Sequence, residues 1–116
     1  MGVGSSLKVI GAGVAWRTAG VESAGRNLIQ AFGSDDEQDR ALAGMSIVKA
    51  GERSIGLIEK ARSAGRLTPS LVRLLADIGS PKARDLLAEI ATESGPLAAA
   101  AHESLKLMDQ IDGLGA

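Results

Sequence analysis

All three prolines of this chain stand where a helix can begin, and none stands where it would break one: Pro69 follows Thr68, Pro81 follows Ser80 and Pro96 follows Gly95. Proline has no N–H to waste in a first helical turn, and its φ is already helical. A preceding Thr or Ser adds a side-chain oxygen that accepts from the orphan N–H groups of that turn. Behind two of these starts, Leu71, Leu74, Leu75 and Ile78 fall at helical spacing, and Ala83, Leu86, Leu87, Ile90 and Ala91 repeat the stripe. Gly79 sits between them, where a helix end needs a residue that tolerates positive φ. Residues 68–93 therefore form two short helices, each with one apolar stripe and each in need of neighbours.

Composition favours the same architecture along the rest of the chain. The 116 residues are enough for one domain with a modest core. Apolar residues make up 45%, yet Trp16 and Phe32 are the sole aromatics, so the core must be Leu, Ile, Val and Ala. Such a core suits close helix packing better than a sheet, where aromatic and β-branched residues concentrate.

In chain order, residues 1–20 read as a Gly-rich, weakly helical segment. Leu7, Ile10, Gly11 and Val14 make a stripe, but Gly11 and Gly13 each weaken a helix by about 1 kcal/mol relative to Ala. Val21, Ala24, Leu28, Ala31 and Phe32 make a better one, ended by Gly33. Ser34-Asp35-Asp36-Glu37 reads as a capping box, with Ser34 as the cap and Glu37 reaching back. The helix that follows, to Ala50, has apolar residues around much of its circumference and is expected to be the most buried. Residues 52–65 form another helix on Ile55, Leu57, Ile58 and Ala61, and the last runs from Pro96 along Leu97, Ala100, Ala101, Ser104, Leu105, Met108 and Ile111. Residues 112–116 are expected to fray.

An internal repeat runs through these elements. Leu28-Ile29, Leu57-Ile58 and Leu86-Leu87 recur 29 residues apart, each in the second helix of a pair, while the intervening helices end at Ala50-Gly51 and Ile78-Gly79, 28 apart. A helix-pair period of this size is what a solenoid needs when each repeat buries its face on the next. A helix bundle with short loops is the structural alternative.

The stretch Leu74-Leu75-Ala76-Asp77-Ile78-Gly79-Ser80-Pro81-Lys82-Ala83-Arg84-Asp85-Leu86-Leu87 resembles the short HEAT-like repeats common in bacteria, and Asp39-Arg40-Ala41-Leu42-Ala43 looks like that family's acidic-Arg-Ala helix start. The resemblance covers about residues 21–111, which would be the repeat domain. It departs at Leu97–Ala101, where the usual Arg is missing, and over residues 1–20. It implies an all-α, right-handed stack of about six to seven short helices used for binding, and it implies no chemistry.

Motifs that would carry chemistry lose to plainer explanations. Val9-Ile10-Gly11-Ala12-Gly13-Val14-Ala15-Trp16 has the start of a dinucleotide fingerprint, but Trp16 stands in place of the third glycine and no acid follows at a strand end. A small-residue helix face that permits close approach explains it better. Met1-Gly2-Val3-Gly4-Ser5-Ser6 matches the loose N-myristoylation pattern, which raises membrane contact through residues 1–16 as a minor option. No stretch reaches the roughly 18 apolar residues of a membrane span, and no secretory signal is evident. His102 is the sole histidine and there is no Cys, so a transition-metal site lacks ligands and a thiol nucleophile is absent. Asp35-Asp36 fits helix capping without a calcium loop around it. Nothing has the spacing of nucleophile, base and oxyanion donors. A non-enzyme with no cofactor is expected, and the lack of Cys fits a reducing, cytoplasmic compartment.

Charge offers the main clue to partners. Net charge is −1, but Arg40 to Arg73 holds seven bases against Glu52 and Glu59, while Asp77 onward holds seven acids against Lys82, Arg84 and Lys106. Arg53, Lys60 and Lys82 lie off the apolar stripes, and Arg53 and Lys82 are 29 residues apart, equivalent in the repeat. Arg53, Lys60, Arg62, Arg66 and Lys82 are thus the candidate partner-binding residues, weighed against an ordinary solvated polar face. Interleaved acids and the scarcity of stacking aromatics argue against nucleic acid. The expected partner is another protein, with self-assembly through the unlike charge of the middle and the C-terminal third as the alternative.

Overall fold

A computed structural model describes residues 2–115, with side chains from 6 to 113; Met1, the first residue of the myristoylation-like pattern, lies outside the described residues. Every regular element among them is an α-helix: α1 (Gly2–Ala19), α2 (Glu22–Phe32), α3 (Glu37–Lys49), α4 (Glu52–Ser63), α5 (Pro69–Ile78), α6 (Pro81–Ala91) and α7 (Pro96–Gly115). The punctuation acts as its chemistry requires. Thr68 Oγ1 accepts from the Leu71 N–H and Ser80 Oγ from the Ala83 N–H, with Pro69 and Pro81 opening α5 and α6. Gly79 ends α5 at φ +69°, its N–H donating to the Leu75 carbonyl. Gly20 and Gly51, also at positive φ, follow α1 and α3 in the same way.

The chain divides into two compact units, Met1–Leu57 and Ile58–Ala116, the division falling inside α4. In the first, α1, α2 and α3 each pack on the other two, enclosing Val9, Trp16, Leu28, Ala43 and Ile47. In the second, α5, α6 and α7 do the same around Val72, Leu75, Leu87, Ile90 and Ala101. Fully burying one such aliphatic side chain stabilises by about 1.5–3 kcal/mol, and these cores consist of little else.

Four local expectations change. Residues 2–19 form one continuous helix despite Gly11 and Gly13, because tertiary packing on α2 and α3 outweighs intrinsic propensity. That helix also turns its other face inward: Ser6, Val9, Gly13 and Trp16 are buried, while Leu7, Ile10 and Val14 are exposed. The cap of α3 is Asp36, not Ser34. Asp36 Oδ1 accepts from the Gln38 and Asp39 N–H groups at 2.9 and 3.1 Å, and Ser34 Oγ instead accepts from the Asp36 N–H. Nor is α3 buried all round: Asp39, Ala43, Gly44 and Ile47 face inward, but Ala41 and Met45 are exposed, since two neighbouring helices cover one arc of a third.

At the other end α7 continues to Gly115 rather than fraying at Asp112. Arg84 of α6 reaches both Asp109 and Asp112, at 2.7 and 2.6 Å, and ties those last turns down.

Candidate interaction surface

Both candidate arginines of α4 form contacts within their own units. Arg53, the second residue of α4, lies in the first unit. Its Nη1 donates to the Trp16 carbonyl at 2.8 Å and the Arg17 carbonyl at 3.3 Å, at the C-terminal end of α1. Those carbonyls are among the last four of a helix, which lack intrahelical partners and carry partial negative charge. The guanidinium also fills the space beside Gly20, where an added Cβ would come within 3.2 Å of it.

This cap sits over a buried polar relay. Trp16 Nε1 donates to Ser54 Oγ at 3.0 Å, and Ser54 Oγ donates to the Ile47 carbonyl at 2.6 Å, so the indole N–H and the hydroxyl are both satisfied inside the core. The Trp16 ring in turn lies against Gly25 of α2, and nothing larger than a hydrogen fits there: a Cβ would be 2.9 Å from the ring. Gly13 plays the same part towards α3, where a Cβ would be 2.3 Å from Ser46 Oγ. The small-residue stretch at residues 9–16 is thus a close-approach face. Ser6 Oγ, on the same side of α1, donates to Asp39 Oδ1 at 3.2 Å.

Arg62 lies in the second unit and pairs with two carboxylates of the α6 region, hydrogen-bonding Glu93 and lying 3.3 Å from Glu89. The Glu93 hydrogen bond raises the Arg62 pKa above its ordinary value, against desolvation, so the guanidinium is held charged. Lys60, Arg66 and Lys82 are exposed in this same unit. The structure therefore brings Arg62 to the α6 side of the unit that carries Lys82, and it places Arg53 in the other unit on a different task. Arg53 and Lys82 do hold the same register, second residue of α4 and of α6, as the 29-residue spacing requires. Equivalent register did not give them equivalent surroundings.

The acidic C-terminal third is likewise engaged. Arg84 takes Asp109 and Asp112, the Asp109 hydrogen bond being the main cause of its raised pKa, and Arg73 of α5 lies 3.9 Å from Glu103 of α7. An open groove between α5 and α7 is bordered by Arg73, Asp77, Glu103, Lys106, Leu107 and Gln110. His102 is exposed on α7, and among the described residues no three His, Cys, Asp or Glu side chains are grouped to hold a metal ion. No described helix is long and apolar enough to cross a membrane. Sequence periodicity missed two features here: the Arg53 cap, which needs the fold to bring α4 to the end of α1, and the outward apolar face of α1. The one hint of the latter was that Trp16, the largest side chain, lies off the Leu7–Val14 stripe.

No protein-family model, curated protein or solved structure matches this chain.

Proposed function

We propose that this chain is a non-catalytic scaffold of HEAT-like helix pairs, stacked as a right-handed α-solenoid, that binds another protein through one helix layer. One observation carries the proposal: three helix pairs share one register. In each, a positive-φ glycine closes the first helix (Gly20, Gly51, Gly79), and the second helix carries a buried leucine 29 residues from its counterpart (Leu28, Leu57, Leu86). Repetition of a unit that cannot bury its own stripe is the basis of solenoids, whose use is to present an extended surface. The partner-facing residues on this reading are Lys60, Arg66 and Lys82, exposed cations of the second unit, with Arg62 fixed among them by Glu89 and Glu93. An acidic protein surface is the matching chemistry.

Affinity capture from native lysate, with and without nuclease, tests this against a Lys60→Glu/Arg66→Glu/Lys82→Glu variant. The expected result is a stoichiometric, nuclease-resistant protein that the wild-type chain retains and the variant loses. Equal recovery by both forms, or material that disappears on nuclease treatment, would overturn it, the latter in favour of nucleic acid.

A further inference from the structure

The first and last helices each leave an apolar ridge uncovered. On α1 it is Leu7, Ile10 and Val14, which are 64, 47 and 45% exposed and flank Gly11, around which there is open space. On α7 it is Leu107 and Ile111, one turn apart and 51 and 59% exposed. Neither ridge is needed by its own unit, whose core is closed by the opposite sides of these helices: Val9 and Trp16 of α1, and Ala101 and Met108 of α7. Terminal helices of a repeat array ordinarily carry polar outer faces, and these do not.

The charges beside the two ridges differ in sign. Between Gly2 and Ala19, α1 carries Lys8 and Arg17 and no acid, whereas α7 carries Glu103, Asp109 and Asp112 against Lys106. Arg73 and Arg84 draw on those three carboxylates, and Asp77, on the groove beside Leu107, adds a fourth. Two α1 ridges face to face would oppose Lys8 and Arg17 with their own copies. An α1 ridge against an α7 ridge sets bases towards acids while covering both sets of apolar side chains. We propose that the chain self-associates head to tail, the Leu7–Ile10–Val14 ridge of one copy seated on the Leu107–Ile111 ridge of the next. Five side chains make a small interface, so the association is weak and concentration-dependent. Being heterologous, it extends into rows or closes into rings instead of stopping at a dimer. The inference leans on the helix-pair reading only for why an end helix needs covering, and its test leaves Lys60, Arg66 and Lys82 untouched, so the two can fail separately.

Sedimentation velocity on the purified full chain supplies the test, over about 10 μM to 1 mM, the range suited to weak interfaces. The wild-type chain should sediment faster as concentration rises, and less so when salt goes from about 10 mM to 0.15 M, which shortens the screening length from about 30 to 8 Å. Leu7→Glu/Val14→Glu and Leu107→Glu/Ile111→Glu change only exposed positions. Each variant alone should be monomeric, yet an equimolar mixture should give one-to-one dimers and nothing larger, because each retains the ridge the other lacks. A wild-type monomer throughout, self-association of either variant alone, or a monomeric mixture would overturn the proposal. Circular dichroism checks that both variants stay helical. If one does not, the Ser versions of the same substitutions take its place, and the wild-type concentration and salt dependence stands independently as a test.

Discussion

The Trp16 indole N–H donates to Ser54 Oγ at 3.0 Å across 38 residues of sequence, and the same hydroxyl donates to the Ile47 carbonyl. One buried serine thus joins the end of α3, the start of α4 and the largest side chain of α1. In doing so it satisfies a carbonyl in the last turn of α3, one of the positions a helix leaves without a partner.

Ser54→Ala should therefore destabilise the protein by about 1–3 kcal/mol, the cost of leaving a buried polar group unpaired. Ser54 is fully buried, so water cannot easily replace the hydroxyl. Thermal unfolding followed by circular dichroism reads the loss, and an unchanged midpoint would mean that the relay contributes nothing.

Two glycines inside helices should respond oppositely to alanine. At Gly25 the new Cβ would press on the Trp16 ring at 2.9 Å and on Leu57 Cδ1 at 3.1 Å, so Gly25→Ala should cost about 1–3 kcal/mol by overpacking. Gly56 has nothing within 4 Å, and Gly56→Ala should stabilise by about 0.5–1 kcal/mol through helix propensity alone. Denaturant midpoints of the two variants should fall on opposite sides of the wild type; the same sign for both would contradict the packing described.

The cap of α3 separates two neighbouring residues. Asp36→Ala removes the acceptor for two backbone N–H groups and should cost about 1 kcal/mol, with the larger share of any loss at this helix start. Ser34→Ala, which leaves the Asp36 carboxylate in place, should cost less. Urea unfolding of both variants would expose a reversed order.

Arg53 and Lys82 offer a comparison at equal helix register. Arg53→Gln gives up the bonds to the Trp16 and Arg17 carbonyls and should cost about 0.5–1 kcal/mol, discounted because the site is exposed. Lys82→Gln should stay within about 0.5 kcal/mol of the wild type. Equal losses would remove the distinction drawn between a capping cation and a surface one.

Much of the helical framework was legible in the chain. Pro69, Pro81 and Pro96, the Thr68 and Ser80 hydroxyls and Gly79 act through bonds to residues three or four positions away, and local chemistry of that kind is written in adjacent letters. The Leu28, Leu57 and Leu86 spacing was legible for the same reason. The α3 cap was not, because Ser34 and Asp36 both offer oxygens and the choice between them depends on where the chain enters the helix. The fate of the candidate cations was hidden more deeply: Arg53 and Lys82 look alike until another helix end is placed beside one of them.

Sequence by itself determined where the helices start and stop, that they come in pairs, and that the core is aliphatic, since caps, breakers and 3.6-residue periodicity act within a few residues. Only the tertiary structure decided which face of α1 turns inward. Leu7, Ile10 and Val14 on one side and Val9 and Trp16 on the other are both apolar, so periodicity favours neither strongly. The choice goes to the side where Gly13 lets α3 approach, Gly25 makes room for an indole and Ser54 accepts its proton, and those three partners come from three other helices.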